Sequence, residues 1–75
     1  MTKLRSAFGQ TVRAARRKRG LSQEYLAELA DLDRTYVSGV ERGTRNPALS
    51  TLEKIAGTLE MRVSELIRDA ERRRR

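Results

Sequence analysis

Between Leu21 and Glu41 the chain reads LSQEYLAELADLDRTYVSGVE, and the spacing of its apolar residues leaves little choice of local structure. Leu26, Ala27, Leu29 and Ala30 recur as one inner helical face, and Val37 and Val40 as another. Asp31–Asp33 breaks the period between them. Ser22 has the side chain to cap the first helix, over about residues 23–30, and Asp33 to cap the second, over about residues 34–42. Two short amphipathic helices joined by a tight turn follow.

The spacing is more specific than that. In a helix-turn-helix counted from Gln23, apolar residues fall near the fourth, eighth, tenth, fifteenth and eighteenth places. Here those places hold Leu26, Ala30, Leu32, Val37 and Val40. The fifth place needs a small residue where the helices cross, and Ala27 fills it. The ninth place takes a positive φ and usually holds Gly. Asp31 stands there, and Asp tolerates that region better than most residues.

Helical periodicity continues on both sides. Leu4, Phe8, Val12 and Ala15 form a stripe for a first helix over about residues 5–19, with Gly20 as a left-handed C-cap. Gly43 ends the third helix, and a loop with the chain's single proline, Pro47, leads to Ser50. Ser50 and Glu53 have capping-box spacing, so a fourth helix begins at about Thr51 and buries Leu52, Ile55, Ala56 and Leu59. Ser64 caps a fifth over about residues 64–71, carrying Leu66, Ile67 and Ala70, and 72–75 form a solvated basic tail. Nothing alternates with period two over a useful length. The expected fold is all-α, one five-helix domain across residues 1–75, with the helix-turn-helix at about 22–42.

Composition removes most chemistry. The 75 residues include no His, Cys or Trp, so the usual metal ligands, thiol nucleophiles and imidazole bases are missing. No catalytic residues, metal site or cofactor are expected, and no enzyme. No apolar run nears the roughly 18 residues of a membrane span, and no signal-peptide pattern opens the chain. A soluble cytoplasmic protein with no membrane partner is the expectation. The net charge is +7 and unevenly spread. Residues 1–20 hold seven bases and no acid, residues 21–41 one base against five acids, and residues 42–75 nine bases against five acids. Basic flanks around an acidic middle suit a protein that grips a polyanion at its edges; a generic solubilising charge is the plainer reading.

The run VRAARRKRGLSQEYLAELADLDRTYVSGVERGTRNPALSTLEKIAGTL resembles the xenobiotic-response-element (XRE), or Cro/repressor, family of bacterial and phage regulators. GLSQEYLA, TYVSGVERGTRNP and LSTLEKIA carry the likeness, which covers about residues 8–67. Within that family, LDRTYVSGVERGTRN is especially similar to controller proteins of restriction–modification systems. The resemblance implies a lambda-repressor-like DNA-binding domain with its third helix in the major groove of double-stranded DNA.

It also distributes roles. Arg34, Thr35 and Ser38 would read bases: Arg34 by two bonds to guanine, Thr35 by its hydroxyl or by its methyl against thymine. A solvated Arg34 paired with Asp31 is the alternative. Gly39 would let the helix approach the groove. Phosphate contacts fall to Arg17, Gln23, Tyr36, Arg42, Arg45 and Asn46. Gln23 could instead be simply exposed, and the Tyr36 ring could pack in the core. Glu41 would be repelled by phosphate, so the resemblance pairs it with Arg16 as a structural tie between the first and third helices, a DNA contact by Arg16 being the alternative.

One recognition helix reads only a few base pairs, so two copies on a palindromic operator are expected, with Met61, Val63, Leu66 and Ile67 as the dimer contact. Those residues closing the monomer core is the other reading. The implied function is a transcription regulator, repressing by occupancy or activating through RNA polymerase, with its own concentration as the switch and no small-molecule ligand. If a controller protein, it would act on its own operon. An antitoxin bound to a toxin and a protein-interaction module without DNA affinity are the alternatives.

Overall fold

The computed structural model describes residues 3–74. Five helices follow in order: α1 (Leu4–Lys18), α2 (Gln23–Leu29), α3 (Arg34–Arg42), α4 (Leu49–Thr58) and α5 (Val63–Arg73), with no strand among the described residues. None is long and apolar enough to cross a membrane.

Four of the helices end by one device. Beyond each C-terminus a residue enters the left-handed region: Gly20 at φ 69°, Asp31 at 57°, Gly43 at 79° and Glu60 at 57°. The next residue then bonds back five positions, Leu21 N–H to Arg16 C=O, Leu32 to Ala27, Thr44 to Gly39 and Met61 to Ala56, at 2.8–3.1 Å. These are Schellman closures, and three deliver an apolar residue (Leu21, Leu32, Met61) onto the core. Gly20, Asp31 and Gly43 are the positions expected from the sequence. Glu60 is not, because glutamate carries no αL signal.

The starts divide. Ser22 accepts the Tyr25 N–H at 3.0 Å, and Asp33 caps α3. The other two expected caps are corrected. α4 starts at Leu49 with Ala48 as N-cap, because the Ala48 carbonyl already accepts from Thr51 and Leu52, leaving Ser50 inside the first turn. α5 starts at Val63, and Glu65 reaches back to the Arg62 N–H at 2.8 Å, so Ser64 is also internal. α5 runs to Arg73, so Arg72 and Arg73 form its last turn and not a tail; Arg75 lies outside the described residues. Basic residues there face the negative end of the helix dipole.

α1 packs on α5 and α3, α2 on α3 and α4, and α4 on α5. Phe8, Val12, Leu26, Val37, Val40, Ile55, Leu59 and Leu66 meet in one core. Ala30 is buried as expected. Leu29 is not: it lies about 200° round the helix from Ala27, on the outer face, and is 51% exposed. At Gly9 α1 packs close against the backbone of α3. A methyl group there would drive into the carbonyl oxygens of Val40 and Glu41, so the two backbones touch directly.

Candidate nucleic-acid interface

The orientation of α3 is set by a buried carboxylate. Glu41 ends the inner face of that helix with its side chain fully shielded, and Arg16 crosses from α1 to meet it. The guanidinium gives Nε to Oε2 at 2.7 Å and a second nitrogen to Oε1 at 3.0 Å; its third goes to the Leu21 carbonyl at 2.7 Å. Arg13 adds a longer contact at 3.4 Å, and Gln23 donates its amide to Oε1 at 3.0 Å. One carboxylate thus ties α1, the start of α2 and the end of α3. Burial pushes the Glu41 carboxyl up, but the bonds from Arg16 and Gln23 and the Arg16 charge outweigh it and hold the group below the ordinary glutamate range. The bond to Glu41 raises Arg16 in turn. No buried side-chain nitrogen or oxygen among the described residues lacks a partner.

With Val37, Val40 and Glu41 turned inward, the opposite side of α3 is open. Arg34 and Thr35 are exposed at its first turn, Ser38 is half-buried one turn on, and Arg42 is exposed at its end. Arg34 makes no ion pair with Asp31, so its guanidinium is uncommitted on that side. Asp33 accepts both the Thr35 N–H, at 2.8 Å, and the Thr35 hydroxyl, at 2.5 Å. Those two bonds from Thr35, hydroxyl first, hold the Asp33 carboxyl below its ordinary value.

Beyond Gly43 the loop folds back over α3. The Thr44 N–H and hydroxyl both donate to the Gly39 carbonyl, at 2.9 and 3.1 Å. Arg45 then lies with its guanidinium 5.4 Å from the centre of the Tyr36 ring. This is cation–π distance. Tyr36 is half-buried with its ring against the core, joining packing to an exposed edge. Gly39 has a different role from the one expected. It is buried, and a Cβ there would come within 2.6 Å of the Arg45 side chain and 3.3 Å of Thr44 Oγ1. Its missing side chain makes room for the loop rather than for a groove.

Among the other residues singled out by sequence, Arg17, Arg42, Arg45 and Asn46 are exposed. The Gln23 amide faces Glu41, which leaves the backbone at the start of α2 as the better anion donor there. Sequence reasoning missed the Gln23 and Arg13 bonds. The signal available for Arg13 was its place three residues before Arg16, on the same helix face.

Of the four apolar residues assigned to a dimer contact, Leu66 is corrected: it is 0% exposed within the single chain and has no surface to offer. Met61, Val63 and Ile67 are half-buried, packed on the core with one side open. Ile67 borders a groove of about 200 Å³ with Leu4, Phe8, Pro47 and Leu52, and Leu49 stands 76% exposed at the start of α4.

Comparison with known proteins gives these features relatives. A family model described as "Helix-turn-helix" matches residues 12–66. The chain is 48% identical over 65 residues to the control protein C.BamHI of Bacillus amyloliquefaciens, covering 85% of this chain and 80% of that protein. It is 44% identical over 73 residues to the control protein C.MunI of Mycoplasma sp, covering 96% and 99%. A phage relative, the immunity repressor protein of Bacillus phage phi105, is 48% identical over 59 residues, and the match spans 79% of this chain but only 41% of that repressor. Among solved structures, the restriction–modification controller protein C.AhdI of Aeromonas hydrophila superposes with a TM-score of 0.80 at 51% identity, covering 81% of this chain and 92% of that one.

Proposed function

The chain belongs to the XRE-type helix-turn-helix family of DNA-binding transcription regulators, and on that footing we propose that it controls a restriction–modification operon, binding palindromic operator DNA as a homodimer. The carrying observation is the open first turn of α3, where Arg34 and Thr35 stand exposed on a helix braced from behind by Arg16 and Glu41. The likeness to C.BamHI, C.MunI and C.AhdI supports the controller assignment.

In this reading α3 enters the major groove and Arg34, Thr35 and Ser38 meet base edges. Arg34 takes guanine through two bonds. Arg17, Tyr36, Arg42, Arg45 and Asn46, together with the backbone N–H at Gln23, face phosphate and fix register without specifying sequence. Arg45, steadied over the Tyr36 ring, is the firmest of these. The exposed sides of Met61, Val63 and Ile67 supply the contact between copies, and two half-sites multiply the discrimination of one short helix. The regulator acts in the cytoplasm, where its operator lies, repressing by occupancy and activating by touching RNA polymerase.

Gel shifts on duplexes selected by the protein from a random-sequence pool test the division of labour. Arg34→Ala relaxes preference at one base position, losing about 1–3 kcal/mol of discrimination there. Arg45→Ala weakens binding to every duplex and lowers the salt slope by about one. Equal, uniform weakening by both variants would remove Arg34 from base reading.

A further inference from the structure

The residue at the tip of the recognition helix is constrained before any DNA arrives. A threonine hydroxyl owns one proton and two lone pairs. In Thr35 that proton is engaged: Oγ1 donates to Asp33 Oδ1 at 2.5 Å, and the same oxygen accepts the Thr35 N–H at 2.8 Å. The distance to the carboxylate is that of a charge-assisted bond, stronger than a neutral one. Oγ1 is therefore pinned in one staggered position, turned back toward the start of α3, and the methyl carbon Cγ2 must occupy another. Both residues are exposed, so the arrangement lies at the open surface of the helix and not in the core.

We propose that Asp33 makes Thr35 a methyl reader: with its only proton bonded to Asp33, Thr35 offers no donor to a base and selects thymine through Cγ2. The inference rests on the proposed DNA contact of α3 and sharpens it. In the major groove guanine presents only acceptors, N7 and O6, to which a hydroxyl with an engaged proton gives nothing. Adenine N6 and cytosine N4 are donors to which the Oγ1 lone pairs remain open. Thymine, by contrast, presents its C5 methyl, which gains by apolar contact with Cγ2 and loses that contact when the methyl is removed. Asp33 is thus a positioning residue with two functions. It caps the helix and sets what its neighbour can recognise. Its own carboxyl, held low first by the Thr35 hydroxyl and then by the Thr35 N–H, stays an ionised acceptor throughout the neutral range.

The decisive variant is Thr35→Ser, which keeps the hydroxyl and its bond to Asp33 and removes only the methyl. The probe is the set of duplexes that the wild-type protein selects from a random-sequence pool, with each thymine replaced in turn by deoxyuridine, which lacks the methyl. Wild-type protein loses about fourfold in affinity per half-site at one thymine, the worth of one buried methyl-sized contact. Thr35→Ser binds the thymine and uracil duplexes equally at that position, with an unchanged melting temperature. Overturning results are a guanine, adenine or cytosine preference that depends on residue 35, or uracil sensitivity identical in both proteins; each leaves sequence-specific binding intact. A protein that shows no preference for selected over random duplexes fails earlier and overturns the functional reading itself.

Discussion

The Arg16 guanidinium and the Glu41 carboxylate meet edge to edge across the α1–α3 junction, by bonds of 2.7 and 3.0 Å. The carboxylate is fully buried and the guanidinium side chain 10% exposed. Removing one member of such a pair strands the other in a poorly solvated site. Glu41→Ala is therefore expected to lower unfolding free energy by about 3–5 kcal/mol, a large part of the stability of a small domain. Urea unfolding measures it. A loss near zero would mean that water reaches the pair.

The same pair gives stability a pH dependence of definite sign. Glu41 titrates lower in the folded chain than in the unfolded one, so its contribution is complete above the unfolded glutamate value and vanishes as pH falls through the folded value. Melting temperature should fall with acid below about pH 4.3, the ordinary glutamate value. Asp33 works in the same direction. Glu41→Gln should start less stable at neutral pH and show a shallower acid decline, read from thermal melts across that range.

Gly39→Ala separates stability from DNA affinity. The new methyl would lie 2.6 Å from the Arg45 Cγ, so Arg45 would have to leave its place over the Tyr36 ring, which its exposed position allows. Helix propensity favours alanine by about 1 kcal/mol, which offsets part of the repacking. Unfolding free energy should change little, while affinity for every duplex falls as in Arg45→Ala. A variant with wild-type salt dependence would show that the Arg45–Tyr36 stack does not guide binding.

Leu66 and Ile67 are neighbours in sequence with different expected phenotypes. Leu66→Ala opens a cavity in the core and should cost about 2–5 kcal/mol of stability. If the proposed homodimer forms through this face, Ile67→Asp, which charges a half-buried edge of α5, should reduce sedimented mass from dimer to monomer with a smaller loss of stability. An unchanged dimer mass would move the contact off this face.

Glu60 holds a left-handed backbone, φ 57°, that burdens any side chain with a Cβ. Relief of about 1–2 kcal/mol, less the chain entropy added in the unfolded state, should leave Glu60→Gly more stable by roughly 0.5–1 kcal/mol. Calorimetric melting of the variant checks this.

Where local chemistry decides structure, the sequence was readable. Ser22, Asp33, Gly20, Gly43 and Asp31 stand at the caps and turns expected of them, since each owes its position to its own side chain or its lack of one. Ser50 and Ser64 carry the same signals and are overruled. Core register fixes α4 through Leu52 and Ile55, and α5 through Leu66 and Ala70, and both N-caps fall two residues earlier, at Ala48 and Arg62. The site divides likewise. Exposure of Arg34 and Thr35 follows from the period that buries Val37 and Val40. The Gln23–Glu41 bond joins residues eighteen apart, and the seat that Gly39 makes for Arg45 depends on where the loop returns; both exist only once the chain has folded.

At Gly9 the backbones of α1 and α3 lie in contact, with no side chain between them to yield. Rotation that brought the helices closer at this point would force carbonyl oxygens into a Cα, so the contact limits how far one can turn against the other. In the proposed complex, part of the orientational freedom that α3 would otherwise lose on entering a groove is then already lost at folding. Association in that complex would mainly order side chains such as Arg34, and the entropy that opposes binding would be correspondingly smaller.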